Sequence, residues 1–322
     1  MCLEILAREG NWTISYVPGA KCLTDPPITL KSLMKQRRRW HNGTIFATYY
    51  VLRNLGRIIC GKGCHKALCR NILFFVLYLY MLTTTAISYV LIGLFYSSFS
   101  IFVREVYPDR DGLNLESAYV LENIYLTFIS LLVLLSITIK LDWAEQGFSV
   151  ISFLMGITVF FMVLSIIIRS LQREIDFLTY LFLITFACLV FLPILLNIKR
   201  VKIGAFIKGT IYTIFLSPTY VNTLTIYAIC NIHDVSWGSR PDNKNKKIDP
   251  RFVKAEKKRE TEFSNYRANF LVLWSIINII VSNLVTHSSR MGQKTAVIAI
   301  GILLTIVVGF KYVFCTIYMF LS

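Results

Sequence analysis

The stretch Ile72–Tyr96, ILFFVLYLYMLTTTAISYVLIGLFY, decides the fold. It has no charged residue anywhere along it. An α-helix needs ~20 mostly apolar residues to cross the hydrocarbon core of a bilayer, and this run has more than enough. Runs of the same kind follow at Tyr119–Ile139, Phe148–Ile168 and Phe177–Ile198, then at Ala268–Thr286 and Ala296–Leu321, the last interrupted by Lys311. The first four are joined by short charged connectors, 104–116, 140–145 and 169–176. The pattern predicts a mainly α, polytopic membrane helix bundle of about six spans.

Composition agrees with lipid as the solvent. Of the 322 residues 55% are hydrophobic and 16% charged, against ~25% charged in ordinary soluble domains. Lys and Arg number 34 against 18 Asp and Glu, a formal net charge of +16. A nucleic-acid binder has no use for several hydrophobic spans. The excess positive charge therefore points to anionic lipid and an anionic substrate rather than to nucleic acid. Residues 1–8 carry early charge with no apolar core behind them, so no secretory signal is read there. The eight cysteines do not form a disulfide framework. Cys60, Cys64, His65 and Cys69 have the inventory of a zinc site without the paired CxxC spacing, and free or acylated cytosolic thiols are the simpler reading.

One run is ambiguous. Phe206–Ile232 is long enough to span but contains Lys208, Ser217-Pro218-Thr219 and Asn222. Basic segments lie on both sides of it, Lys199–Lys202 before and Arg240–Arg267 after. Positive charge favours the cytosolic side, so both belong in the cytosol and the run between them is expected to be interfacial or re-entrant. The domain plan is then 1–43, a polar segment; 44–70, an amphipathic interfacial helix and a basic stretch; 71–232, four spans and the ambiguous run; 233–267, a cytosolic loop and linker; and 268–322, two spans. In 44–59, Ile45, Phe46, Tyr49, Leu52 and Leu55 or Gly56 share a face, with Arg53 and Arg57 elsewhere. A short strand is expected over Trp12–Val17, a helix over Thr29–Arg39, and a turn or cap at Asp25.

Two segments carry chemistry. Gln36-Arg37-Arg38-Arg39-Trp40 stands just before the interfacial helix. An arginine is a fixed cation whose planar fork suits a diphosphate. An indole offers a flat face for a sugar ring, and a glutamine both donates to and accepts from hydroxyls. A juxtamembrane basic patch with an interfacial Trp is the plainer alternative. Asn231-Ile232-His233-Asp234-Val235-Ser236-Trp237-Gly238-Ser239-Arg240 is the second. Gly238 permits a hinge, Trp237 can stack and Arg240 can meet a phosphate. Asp109-Arg110-Asp111 spells a cation-binding triplet, but it falls in a loop on the far side of the membrane and is read as solvated.

Gln36, Arg39 and Trp40 match the QxxRW signature of processive family 2 glycosyltransferases, and the longer string through Asn42-Gly43 resembles chitin synthase, with His41 where that family generally has Leu. The segment ending Ser236-Trp237-Gly238-Ser239 resembles the family's Ser-Trp-Gly-Thr. The resemblance implies transfer of GlcNAc from UDP-GlcNAc to the 4-hydroxyl of a growing β-1,4 chitin chain, with inversion and export through the spans. It implies that Gln36, Arg38, Arg39 and Trp40 hold the acceptor and leaving group. It makes Asp234, Ser236, Trp237, Gly238, Ser239 and Arg240 a gating loop. It places residues 1–43 as a remnant of a GT-A glycosyltransferase domain, with the catalytic Asp and the Asp-x-Asp cation site upstream of Met1. Hence no catalytic or metal residue is assigned here, and the chain alone is expected to be inactive. The divalent cation (Mg or Mn), UDP-GlcNAc, the chitin chain and membrane lipid are expected of the full enzyme, and a homodimer is among the arrangements it allows. Residues 1–70 and 233–267 are expected in the cytosol, at the plasma membrane. A hyaluronan- or cellulose-type synthase, or a non-catalytic transporter or subunit, are the alternatives.

Overall fold

The computed structural model describes residues 17, 19–20, 22–60, 68–106, 113–172, 202–234 and 250–321. They are almost wholly helical, with no strand among them. Five helices are long and apolar enough to cross a membrane, over Phe75–Arg104, Ser117–Thr138, Leu141–Ile168, Asn265–Thr286 and Met291–Phe310. They coincide with five of the six expected spans. The sixth, Phe177–Ile198, lies outside the described residues, as do all but Val17 of the strand expected over Trp12–Val17 and the Asp109–Asp111 triplet. The molecule is thus a mainly α, polytopic membrane helix bundle.

The chain divides into two compact units, residues 1–89 with 227–271, and residues 90–226 with 272–322. In the first, helix α1 runs from Leu30 to Cys60. Its start is fixed by a reciprocal cap. The Thr29 hydroxyl accepts from the Ser32 backbone N–H at 3.2 Å, and the Ser32 hydroxyl accepts from the Thr29 N–H at 3.3 Å. The cap is therefore Thr29, and Asp25 is an exposed residue of the extended lead-in. The helix does not stop near Gly43, where two separate segments were expected. It continues to a kink at Asn54, whose φ of −111° and ψ of 15° leave the helical region. Met34, Arg38, Asn42, Thr48 and Val51 form its buried stripe. Helix α2, Leu68–Val106, begins in the same unit, where Thr85 meets Thr48 through their hydroxyls at 3.1 Å. Tyr89 packs edge-on against Phe270, with ring centroids 5.6 Å apart.

In the second unit, α3 (Leu113–Thr138) and α4 (Leu141–Gln172) form a hairpin joined only by Ile139 and Lys140. Gly147 lets the arms close, since a Cβ there would sit 3.1 Å from a Leu135 methyl. Helix α5, Ile203–Pro218, continues through a π-turn at Thr219–Thr223 into α6, Leu224–Cys230. The path is helical throughout, which leaves the expected interfacial or re-entrant course untested. At ~1.5 Å per residue it reaches about 40 Å, more than the ~30 Å of a bilayer core. Ser152 bonds Thr223 at 2.8 Å, and Gly156 lies against the Phe215 carbonyl. As α4 ascends, its partner descends, so the two are antiparallel. Pro218 has no N–H to give, and a π-turn is a common way to absorb such a break. Helices α7 (Pro250–Thr286) and α8 (Arg290–Leu321) complete the set. Asn278 on α7 accepts the Gly93 N–H at 2.8 Å, possible only because Gly93 has no side chain: a Cβ would meet the Asn278 carbonyl at 2.6 Å.

Several hydroxyls inside these apolar helices are satisfied locally. Thr84, Ser97, Thr127 and Ser136 each donate to the carbonyl four residues back. A polar side chain in lipid must find a partner, and the preceding turn is the nearest.

Candidate functional site

The candidate site is built on the first turns of α1 and on the turn Asn231–Asp234, both in the first unit. At about 100° per residue, Gln36, Arg39, Trp40 and Gly43 fall on one side of the helix, whereas Arg38 lies ~200° away from Gln36. The burial follows that wheel. Trp40 is 55% exposed, Gln36 and Arg39 are half-buried, and Arg38 is only 3% exposed.

The three arginines consequently do three different things. The Arg37 guanidinium lies over the Trp40 ring, 4.7 Å from its centroid, bracing the indole from one side. Arg39 has no carboxylate partner among the described residues. Arg38 turns inward and forms an ion pair with Asp234. The Tyr227 hydroxyl accepts a further bond from Arg38. One turn along the same stripe, the Asn42 amide donates to the Ile232 carbonyl at 3.3 Å. The helix and the turn are joined at two successive levels.

Burial pulls the Arg38 guanidinium below its ordinary range; Tyr227 opposes this and Arg39 adds to it. Burial alone pulls His41 below its usual value. His233 is pulled down first by burial and then by the positive charges of Arg267 and Arg38, and its Nδ1 is buried with no partner among the described residues. Both imidazoles are thus held neutral in the folded protein.

Of the sequence-derived site residues, the structure describes Gln36, Arg38, Arg39, Trp40 and Asp234. It brings Arg38 and Asp234 together and leaves Gln36, Arg39 and Trp40 on the opposite face of α1. Ser236, Trp237, Gly238, Ser239 and Arg240 lie outside the described residues, and so does Cys64; the side chains of Cys60 and Cys69 are likewise undescribed. Sequence reading assigned no role to Asn42, Tyr227 or Arg267. The i, i+4 spacing of Met34, Arg38 and Asn42 is the signal that exposes the first of them. Further along α1, Phe46, Tyr49 and Leu52 are exposed together with Arg53 and Arg57, the mixture expected of a helix at a lipid surface.

A sequence model described as a chitin synthase-like glycosyltransferase domain matches residues 1–55, the part that holds most of α1 and its QRRRW string. Similarity extends well beyond that. Chitin synthase A of Ampelomyces quisqualis is 24% identical over 277 residues, covering 81% of this chain and 30% of that protein. Chitin synthase C of Aspergillus oryzae is 26% identical over 267 residues, covering 77% and 29%. Chitin synthase 1 of Saccharomyces cerevisiae is 27% identical over 263 residues, covering 74% and 22%. The chain spans less than a third of the length of each of these three relatives. The motif, the membrane helices and the sequence comparison agree, and this chain is similar to the chitin synthases over most of its length.

Proposed function

We propose that the chain is the acceptor-holding, membrane-crossing part of a processive β-glycosyltransferase that makes chitin. The observation that carries the reading is the face of α1: an exposed indole braced by Arg37, with Gln36 one turn before it and Arg39 beside it. Trp40 stacks on the terminal sugar of the acceptor and Gln36 bonds its hydroxyls. Arg39 meets the diphosphate of a UDP-GlcNAc donor as the bond to the anomeric carbon breaks and the acceptor 4-hydroxyl attacks from the opposite side. The base that takes the hydroxyl proton is not assigned to a residue of this chain. No group of three or more His, Cys, Asp or Glu able to hold a metal occurs among the described residues, so no step is assigned to the divalent cation the resemblance implies. The polymer leaves among the membrane helices.

Binding of chito-oligosaccharides to the purified chain in lipid nanodiscs, followed by titration calorimetry, tests this reading. Binding is expected, and Trp40→Ala should weaken it about tenfold, ~1.4 kcal/mol. Radiolabelled UDP-GlcNAc should give no polymer with this chain alone. Tighter binding of cellulose or hyaluronan oligomers would move the substrate to a sister synthase. Failure to bind any β-linked oligosaccharide would remove the acceptor site.

A further inference from the structure

We propose that Arg38 is a positioning residue and not an anion ligand: its pairing with Asp234 sets the rotation of α1 about its own axis and thereby turns Gln36, Arg39 and Trp40 outward. The sequence makes the three arginines look equivalent, and the structure separates them. Arg38 is 3% exposed, and an acidic side chain already faces it. A guanidinium neutralised by a carboxylate has little left to offer a diphosphate, and Asp234 would itself repel one. The faces of a helix cannot be chosen independently. A rotation that brought Arg38 to the surface would carry Trp40 into the interior, because the two lie on nearly opposite sides of α1.

Two further contacts fix the same rotation. Asn42, one turn after Arg38, donates to the Ile232 carbonyl, and Tyr227 accepts from Arg38. All three partners come from the short stretch Tyr227–Asp234, so one segment holds one side of the helix at consecutive turns. His233 sits in the same place with Arg267 and Arg38 close enough to disfavour its protonation. Its neutral ring adds no competing charge to the pair.

The identity of what Trp40 and Gln36 face rests on the function proposed above, but the pairing can be tested without it. Gly43 shares the outward face and has open space around it, whereas Thr48 lies in the buried stripe. Gly43→Cys and Thr48→Cys are introduced separately into the full chain in nanodiscs. Labelling by a water-soluble maleimide is read at each site by peptide mass spectrometry. The parent should label at position 43 far faster than at 48. Arg38→Asp and Asp234→Arg should each bring the two rates together, by about tenfold in their ratio. The exchange Arg38→Asp/Asp234→Arg should restore the ratio, Arg38→Lys should keep most of it, and Arg39→Asp should leave it unchanged.

Should either single reversal fail to fold, the exchanged protein and the milder Asp234→Asn decide the matter by the same ratio. An exchanged protein that labels no better than the single variants overturns the inference. So does an Arg38→Asp protein that keeps the parent ratio while losing affinity for UDP, which would make Arg38 a ligand after all. If the ratios follow the exchange while no oligosaccharide binds the parent, the positioning role stands and the acceptor site falls.

Discussion

The two units are stitched by different chemistry. In the first, the tie between α1 and the Asn231–Asp234 turn is ionic at its centre, Arg38 with Asp234. In the second, the contacts within the membrane-crossing helices are neutral. Asn222 bonds Tyr125 at 2.8 Å, Ser152 bonds Thr223, and Asn278 bonds Gly93. The exception is instructive. Arg104 grips Glu122 with two bonds, 2.7 and 2.9 Å, and it occupies the last turn of α2, where the span ends. A buried charge is tolerable where water is within reach and costly at mid-depth, where amides and hydroxyls do the joining.

The comparison breaks most severely if the charged exception is cut in half. Arg104→Leu strands the Glu122 carboxylate, which is 5% exposed, and should cost about 3 kcal/mol or more. Arg104→Met with Glu122→Met should recover most of that loss. Thermal unfolding in nanodiscs measures both, and a single variant as stable as its parent would show that the pair contributes nothing. Next come the close approaches that let neutral groups meet. A Cβ at Gly156 would lie 2.7 Å from the Phe215 carbonyl, and one at Gly93 would lie 2.6 Å from that of Asn278. Gly156→Val and Gly93→Ala should each cost about 1–3 kcal/mol, read as a fall in Tm. Neutral hydrogen bonds themselves should count for less. Asn222→Leu should cost about 0.6 kcal/mol and at most ~1.7 kcal/mol for the lost bond to Tyr125, and a larger loss would put the amide on a par with the ion pair.

The smallest effect belongs to the imidazoles of the first unit. His41 and His233 are held below their ordinary value in the folded state. Unfolded chains therefore take up protons first as the pH falls. Stability is unaffected well above pH ~6.5 and declines as the pH drops through that value toward the lower folded one. Lowering the pH from 7.5 to 5.5 should reduce Tm, and His41→Gln with His233→Asn should flatten the slope. An unchanged slope would locate the acid sensitivity elsewhere.

Hydropathy made five spans legible, because ~20 apolar residues have few other uses. It was less informative about the run after Lys202. Charge on both flanks favours an interfacial or re-entrant course there but is silent on the backbone, which stays helical from Ile203 to Cys230 and lets a π-turn take up the disturbance at Ser217-Pro218. Charge patterns describe flanks, whereas local backbone geometry decides continuity. The site was legible as a string but not as a surface. Placing Gln36, Arg38, Arg39 and Trp40 together at one site ignored that a helix sorts them by angle, and Met34, Arg38 and Asn42 were already spaced to show which arginine turns inward. No local signal links Arg38 to Asp234, because nearly two hundred positions separate them and only the tertiary fold brings them together.

The π-turn at Thr219–Thr223 makes this part of the gene unusually sensitive to the loss of a codon. An exchanged side chain in that stretch leaves everything after it in register. Removing one residue there would let an ordinary helix form and swing all that follows by about 100° while drawing it back ~1.5 Å. Asn222 and Thr223 would then fall out of phase with Tyr125 and Ser152, the partners they meet within the same unit. In-frame deletions between 219 and 223 should be far more damaging to yield of folded protein than any replacement at the exposed Tyr220, and a scan of both kinds would measure the gap.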